Sequence, residues 1–352
     1  MKRYIDIEDM VNVNLSNVLD IIQKNGTVSR KQITQLTGLS WGGMTKIVNK
    51  LLEKGYIVET KSVSACAGRT PFNLSVNKEK NFVVGLDINK TGLSAIVTDL
   101  TGEVLKNFYS GVKAEKAEDF INEIIDFLSE IFSHFKKGEI ISVGVALQGI
   151  MDYKNGVSIK FPGIGDWENV PLKAILEERF SVPVFAEHDP DCLLYSFMEY
   201  ETTENIILFR IDKSIGMAVA VSGRILKGEG LLEVAHTTVI PNGKKCSCGS
   251  KGCLQPYISE CVSNDGINSE ALKELVFPLG LTIKNTASIF NADKVILTGE
   301  LIKYRKCFEK ELFLLLKEHN VTVKIEFCEL SDRVLKGAAL RAVNKSINSL
   351  FV

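Results

Sequence analysis

The sequence predicts an α/β body preceded by a small, mainly helical head. Between residues 13 and 54, apolar residues recur at steps of three and four in three short stretches, which is typical of amphipathic helices. From residue 81 onward, β-rich runs alternate with longer helical stretches, which is typical of α/β folds. The chain of 352 residues is long enough for two or three domains. We place the head at residues 1–80 and the body at residues 81–352.

Composition limits the class of protein. With 45% hydrophobic and 24% charged residues, the chain has the composition of a soluble globular protein. No apolar run reaches the ~18 residues of a membrane span, and no signal peptide is recognisable, so we expect a cytoplasmic protein with no membrane partner. The net charge of -1 hides an asymmetry: the first 80 residues hold 12 Lys and Arg against 7 Asp and Glu, and the remainder holds 30 against 36. This positive head indicates a polyanionic partner.

The head has the outline of a winged helix-turn-helix. The three predicted helices cover residues 13–25, 29–37 and 40–54. Ser29 and Ser40 are good N-caps for the second and third helices, and Gly38 supplies the turn between them. Two strand-like runs at residues 56–60 and 70–75 then form a predicted hairpin, the wing. In such a motif the second helix of the pair enters the major groove.

The third helix carries polar and aromatic side chains opposite its apolar stripe, which favours double-stranded DNA as partner. The candidate DNA contacts are Ser40, Trp41, Thr45, Lys46, Asn49 and, for phosphate, Arg69 in the wing. A three-helix packing or dimerisation module is the alternative. Gly42 and Gly43 lie in the first turn of this helix, where glycine is unfavourable. They either allow a close approach to DNA or leave the helix start loose until it binds.

The body alternates strands and helices. Strands are predicted at residues 82–88, 93–98, 103–108, 140–147, 183–189, 206–210, 215–221 and 294–299, and helices at 115–137, 191–201, 279–291 and 331–349. The strand at 183–189 ends in His188 and Asp189, and polar residues at the C-terminal ends of strands are where α/β folds gather ligands. A helix N-cap before Pro190 is the alternative role for Asp189.

Three cysteines and a histidine predict a metal site. Cys246, Cys248 and Cys253 fall within eight residues, and His236 precedes them by ten positions. Thiolate and imidazole ligands in this spacing suit tetrahedral zinc, although iron or another soft divalent ion stays open. The alternative is disulfides or idle thiols, which a chain without secretory features does not favour.

The same stretch resembles the zinc motif of the ROK family of repressors and sugar kinases. The resemblance rests on Glu233-Val-Ala-His236, Cys246-x-Cys248-Gly-x-x-Gly-Cys253-Leu and Tyr257-Ile-Ser259, and in the head on Gly38-Leu-Ser40, Gly55-Tyr-Ile-Val and Gly68-Arg69-Thr-Pro71. It spans residues 13 to about 344. It implies a two-lobed, actin-like (ribonuclease H-like) sugar kinase fold, with lobe 1 at about 81–186 plus the helix at 331–349, and lobe 2 with the zinc loop at about 187–330.

The resemblance also implies a sugar site. The positions that match the family's sugar ligands are His188, Asp189, Glu233, His236 and Gln255. His188 stands where the family has asparagine, and Gln255 stands where many members have glutamate. In the kinases of the family, Asp189 matches the general base.

Both phosphate loops of the kinases are altered. Asp87-Ile-Asn89-Lys-Thr91 lacks the glycine of the family's Asp-x-Gly-x-Thr, and Asp212-Lys213-Ser214 replaces Gly-Thr-Gly. We therefore expect no kinase activity and no catalytic residue.

The sequence thus predicts a sugar-responsive regulator, a repressor of carbohydrate-utilisation genes that acts as a homodimer or homotetramer. An ATP-dependent sugar kinase with a DNA-binding head is the alternative. A DNA-binding regulator that has lost sugar binding and responds to a protein partner is a third hypothesis.

Overall fold

A computed structural model describes residues 7–61, 72–90, 92–198, 204–227, 233–263, 266–329 and 332–349. The chain forms two compact units. The first comprises residues 1–149, 153–187 and 335–352, and the second comprises residues 150–152 and 188–334. None of the helices in the described ranges combines the length and apolar character needed to cross a bilayer.

The head has the predicted winged helix-turn-helix architecture. Its elements are α1 (Ile7–Asn25), β1 (Thr27–Ser29), α2 (Arg30–Thr37), α3 (Trp41–Glu53), β2 (Ile57–Lys61) and β3 (Phe72–Val76). The strands form an antiparallel sheet in the order β1-β3-β2. Helix α1 begins six residues earlier than the apolar spacing predicts. Strand β1 was not predicted, because a three-residue strand depends on its partner: Val28 pairs with Leu74.

Local capping explains the helix boundaries of the head. Ser29 and Gln32 form a reciprocal capping box at the start of α2. Gly38 follows this helix with φ 69°, a left-handed conformation that glycine adopts without strain. The Ser40 hydroxyl then accepts a hydrogen bond from the Gly43 N–H at 3.2 Å. Each predicted N-cap of the two helices is therefore confirmed.

The remainder of the chain follows the predicted alternation. Its elements are β4 (Phe82–Asn89), β5 (Gly92–Thr98), β6 (Val104–Gly111), α4 (Ala117–Ser133), β7 (Ile140–Leu147), β8 (Ile150–Asp152), β9 (Val157–Lys160), α5 (Leu172–Phe180), β10 (Val184–His188), α6 (Asp189–Phe197), β11 (Ile206–Ile211), β12 (Ile215–Val221), β13 (Arg224–Ile225), α7 (Leu254–Ser259), β14 (Val262–Ser263), β15 (Gly266–Ile267), α8 (Ser269–Phe290), β16 (Lys294–Thr298), α9 (Glu309–Glu318), β17 (Lys324–Phe327) and α10 (Arg333–Ser349). Two 3-10 helices, Val234–His236 and Glu300–Cys307, were not predicted.

The first unit contains a five-stranded mixed sheet in the order β10-β7-β4-β5-β6. Helix α10 packs directly on this sheet. A Cβ atom on Gly85 would lie 2.5 Å from the Leu335 carbonyl oxygen, and one on Gly144 would lie 2.1 Å from that of Ala338. Only glycine allows a backbone approach this close.

The head and the sheet layer share one hydrophobic core. Its buried members come from the head, from β4, from the turn after β5 and from α10: Leu15, Val18, Leu19, Ile22, Val28, Ile33, Met44, Ile47, Val48, Leu51, Ile57, Leu74, Val76, Val83, Leu100, Ala342, Val343 and Ile347. The Asn81 amide also donates to the Gly55 carbonyl oxygen at 3.2 Å. The apolar stripe of α3 therefore packs within a core that includes residues of the body. The predicted domain boundaries stay a prediction.

The second unit contains a five-stranded sheet in the order β13-β12-β11-β16-β17. Strands β11, β16 and β17 are parallel, and β12 is antiparallel to β11. A core that includes side chains of α7, α8 and α9 packs with this sheet.

Helix α8 is longer than predicted. The sequence predicts a helix only after Pro278, yet α8 begins at Ser269, where Asn268 Oδ1 accepts from the N–H groups of Glu270 and Ala271. Leu272, Leu275, Leu279 and Ile283 are fully buried on both sides of the proline. Burial of a leucine or isoleucine contributes about 1.5–3 kcal/mol, so these four outweigh the roughly 3 kcal/mol cost of an interior proline.

Candidate functional site

One loop of the second unit brings together four possible metal ligands. One ligand atom from each of His236, Cys246, Cys248 and Cys253 lies within 4.8 Å of the other three. Nδ1 of His236 is 3.5 Å from Sγ of Cys246, and the Sγ atoms of Cys248 and Cys253 are 3.7 Å apart. These are the four residues that the sequence predicts as ligands.

Two glycines shape the loop. Gly249 and Gly252 have φ angles of +94° and +79°. The Gly249 N–H donates to the Cys246 carbonyl oxygen at 3.0 Å. The Cys246 N–H donates to the Ser250 carbonyl oxygen at 2.8 Å. A Cβ atom on Gly252 would lie 1.8 Å from the Ile240 carbonyl oxygen. The tight turn that converges the thiols therefore requires glycine at the second position.

The geometry fits zinc and not a disulfide. Two thiolates bound about 2.3 Å from a tetrahedral zinc ion lie about 3.8 Å apart, close to the 3.7 Å between Cys248 and Cys253. A disulfide would require about 2.05 Å. Burial and the neighbouring thiols Cys248 and Cys246 raise the pKa of Cys253 to about 11. A divalent cation would offset that repulsion and favour the thiolate. Four protein ligands leave no open position, as in structural sites.

A second cluster surrounds Asp189, the first residue of α6. His188 is the N-cap residue of this helix and makes no side-chain capping bond, so the predicted alternative of Asp189 as N-cap is wrong. The helix starts at Asp189 because proline is favoured in a first turn, and Pro190 follows. Asp189 Oδ2 accepts a short hydrogen bond from Nη1 of Arg210, whose Nε donates to Asp212 Oδ2 at 2.8 Å. The side chains of Asp189 and Arg210 are only 7% and 15% exposed.

Asp212 links two strands of the second sheet. Besides the bond from Arg210, its Oδ1 atom accepts the Glu300 N–H at 2.7 Å. Strand β11 ends just before Asp212, and β16 ends two residues before Glu300. A carboxylate therefore takes the backbone donor at the start of the Glu300–Cys307 helix. The Asp212 carboxylate already accepts from this N–H group, and its negative charge would repel a phosphate group placed there.

Burial shifts the pKa values in this cluster. Burial raises the pKa of Asp189 to about 6, although Arg210 opposes the shift. Burial also lowers the pKa of His188 to about 4, with the Glu233 carboxylate opposing and the Arg210 guanidinium assisting. His188 is therefore neutral at neutral pH and offers one donor and one acceptor nitrogen. His188 Nε2 lies 3.4 Å from Asp189 Oδ1.

The remaining predicted sugar ligands lie on the elements around the metal loop. Glu233 precedes the 3-10 helix that ends at His236, and both residues are exposed. Gln255 on α7 donates from Nε2 to the Lys213 carbonyl oxygen at 2.9 Å and to the Ser259 hydroxyl at 2.8 Å. The structure thus gives Gln255 a role in holding the altered loop Asp212–Ser214.

The predicted DNA contacts lie on α3 and its N-cap. Trp41 is 59% exposed, and Lys46 and Asn49 are exposed as well. The Thr45 hydroxyl donates to the Trp41 carbonyl oxygen at 2.8 Å. Their exposure leaves these side chains available to a partner. Arg69 and Thr91 lie outside the described residues, as does the wing tip.

Sequence reasoning missed two arginines. Arg210 sits in the otherwise apolar strand Ile206–Ile211, and a charge in such a strand is a signal for a buried ion pair. Arg30 donates to Glu59 at 2.6 Å and to Asn49 Oδ1 at 3.5 Å. It therefore supports a predicted DNA contact from the neighbouring helix.

The fold and these sites define a class of protein. Residues 83–262 match the ROK family, and residues 12–58 match the winged helix-turn-helix DNA-binding family. The chain belongs to the ROK family.

Its relatives include named repressors. It is 28% identical over 320 residues to the xylose repressor of Bacillus spizizenii, covering 83% of each chain. It is 25% identical over 334 residues to the N-acetylglucosamine repressor of Escherichia coli O157:H7, covering 84% of this chain and 82% of that repressor. A crystal structure of a ROK family transcriptional regulator, a homologue of the E. coli MLC protein, superimposes with a TM-score of 0.82 at 20% identity, covering 97% of this chain and 98% of that one. The crystal structure of the ROK hexokinase from Thermus thermophilus superimposes with a TM-score of 0.63 at 22% identity. This match covers 74% of this chain and 97% of the hexokinase. These two structures share the fold.

Proposed function

We propose that the protein is a sugar-responsive transcriptional repressor of carbohydrate-utilisation genes. The observation that carries the proposal is a winged helix-turn-helix joined to a ROK body whose Asp189 is bound by Arg210. The named repressors among the relatives support the same conclusion. The partners are operator DNA, a sugar or sugar derivative, and a second copy of the chain, since two half-sites require two heads.

The sugar contacts are proposed at His188, Asp189, Glu233 and His236, with Gln255 nearby. Carboxylate oxygens accept hydrogen bonds from sugar hydroxyls, and a neutral imidazole can both donate and accept. Zinc bound by His236, Cys246, Cys248 and Cys253 would hold the loop that carries His236 in place. Metal binding and sugar binding are therefore linked through one residue.

A kinase is less compatible with the cluster. A general base must accept the proton of the attacked hydroxyl, and one of the two carboxylate oxygens of Asp189 already accepts a hydrogen bond from the Arg210 guanidinium. Phosphoryl transfer depends on positive or neutral donors around the phosphates. In the altered phosphate loop of this chain, Asp212 supplies a carboxylate instead, and this carboxylate accepts the Glu300 N–H.

The test is fluorescence-polarisation binding to DNA from the upstream region of the protein's own gene, at fixed salt because phosphate contacts are salt-dependent. D-xylose, N-acetylglucosamine, glucose and their phosphates are titrated into the complex. We expect one of them to lower the DNA affinity, and Glu233→Ala to remove that effect. Glu318→Ala, at the exposed end of α9, is the matched control.

Two outcomes would contradict the proposal. If DNA binds tightly and no sugar changes the affinity, the body is not a sugar sensor. If the protein consumes ATP in the presence of a sugar, and Asp189→Asn abolishes that turnover, the protein is a kinase.

A further inference from the structure

Trp41 is a largely exposed aromatic side chain of the head. It is the first residue of α3 and is 59% exposed, whereas Met44, Ile47, Val48 and Leu51 form the buried face of the helix. Its backbone is fixed, since its carbonyl oxygen accepts the Thr45 hydroxyl at 2.8 Å. A large apolar ring is thus presented at the N-terminal end of the recognition helix.

Gly42, the next residue, is not required by the packing of the head. A Cβ atom at this position would meet nothing within 4 Å beyond its chain neighbours and the backbone of its own helix. At Gly43, by contrast, a Cβ atom would lie 3.2 Å from the Ser40 hydroxyl that caps the helix. Alanine favours a helix more than glycine does, so the fold alone gives no reason for glycine at position 42. The missing side chain leaves the helix surface at this position, next in sequence to Trp41, open to a partner outside the protein.

The chemistry of the major groove identifies that partner. In a helix-turn-helix, the N-terminal residues of the recognition helix contact base edges. Base edges in the major groove are donors and acceptors, apart from the thymine 5-methyl group, which is apolar. Lys46 and Lys50 are exposed on the same helix and can contact phosphates. The apolar ring surface of an exposed indole at this position therefore matches the 5-methyl group of a thymine.

We propose that Trp41 contacts the 5-methyl group of a thymine in the operator half-site and that Gly42 leaves the room this contact needs. The inference rests on the proposed DNA-binding function and extends it to a base preference. It predicts that the protein distinguishes thymine from uracil, which differ only by this methyl group.

The experiment uses the full chain. A preferred duplex is first selected from a random-sequence DNA library, and each thymine of one half-site is then replaced in turn by deoxyuridine. Operator affinity is measured by fluorescence polarisation at fixed salt. We expect deoxyuridine at one or two positions to weaken wild-type binding by about fourfold, the change that corresponds to one buried methyl-sized group.

The variants separate a base contact from a general loss of binding. Trp41→Ala should bind the thymine and uracil duplexes equally at those positions. Tyr109→Ala, which removes an aromatic side chain that is 72% exposed in β6, should keep the wild-type ratio. Gly42→Ala should unfold at the same or a higher temperature than the wild type, yet bind the operator more weakly.

Three outcomes would overturn the inference. The wild type could bind all deoxyuridine duplexes as tightly as the original, or Trp41→Ala could keep the wild-type pattern, or Gly42→Ala could bind as tightly as the wild type. If the library yields no preferred sequence, specific DNA binding itself fails, which is a failure of the proposed function and removes the inference with it.

Discussion

Arg210 donates from Nη1 to Oδ2 of Asp189, across 21 residues of sequence and between a strand and the start of a helix. Both side chains are largely buried. A buried carboxylate without a counter-charge is strongly unfavourable, so the guanidinium keeps Asp189 ionised at neutral pH. The same bond occupies one of the two carboxylate oxygens of Asp189. The carboxylate can therefore still accept a hydrogen bond from a ligand hydroxyl.

Removing Arg210 should destabilise the protein. We expect Arg210→Ala to lower the free energy of unfolding by about 3 kcal/mol at pH 7, because it leaves a buried carboxylate without its partner. Urea unfolding monitored by circular dichroism measures the change. The loss should shrink at pH 5, where Asp189 binds a proton. The double variant Arg210→Ala/Asp189→Asn should recover most of the stability, and an equal loss in the double variant would show that the ion pair is not the cause.

The two buried titrating groups should have opposite effects on stability as pH changes. The folded-state pKa of Asp189 is about 6, above the ordinary 3.8, so the folded state binds the proton more tightly and this group lowers stability as pH rises from about 4 to 6. The folded-state pKa of His188 is about 4, below 6.5, so the unfolded state binds more protons and this group raises stability as pH rises from 4 to 6.5. The two contributions largely cancel in the wild type.

Single variants should separate the contributions of Asp189 and His188 to the pH dependence of stability. Relative to the wild type, Asp189→Asn should gain stability as pH rises from 4 to 6, and His188→Asn should lose stability over the same range. Urea midpoints measured at half-unit pH steps test both directions. Parallel pH profiles for the two variants would contradict the assigned pKa shifts.

The metal loop should hold one zinc ion per chain. We expect Cys248→Ser to weaken zinc binding at least about tenfold, the smallest loss typical of residues that only support a ligand, and to lower the unfolding temperature. Inductively coupled plasma mass spectrometry and thermal unfolding measure the two effects. Cys307→Ser, at an exposed cysteine outside the loop, is the control. Purified protein without metal, with an unfolding temperature that chelators do not change, would contradict the site.

Features coded by neighbouring residues were predictable. The capping of α2 and α3, the glycine turn between them and the four metal ligands depend on residues within about twenty positions of one another. Their geometry follows from capping chemistry and ligand spacing, which are legible in a sequence.

Features that depend on residues far apart in the sequence were not predictable. The bond from Glu300 to Asp212 joins residues 88 positions apart, and the sequence gives no register for such a pair. Helix α8 passes through Pro278 because burial on both sides of it outweighs the local penalty, which is a tertiary effect. Gln255 was predicted as a sugar contact, but the loop it binds is visible only in the folded chain.

The contact between Gly144 and α10 gives a prediction about the head. A Cβ atom on Gly144 would lie 2.1 Å from the Ala338 carbonyl oxygen and 3.0 Å from the Ala342 Cβ. Gly144→Ala should therefore push α10 away from the sheet and cost about 1–3 kcal/mol, the usual range for overpacking. Because Ala342, Val343 and Ile347 belong to the core of the head, DNA binding should weaken as well. Gly111→Ala, where a Cβ atom would meet nothing within 4 Å, is the matched control. Urea unfolding and operator binding measure the two effects. A destabilised variant with unchanged DNA affinity would show that the head does not depend on how α10 packs on the sheet.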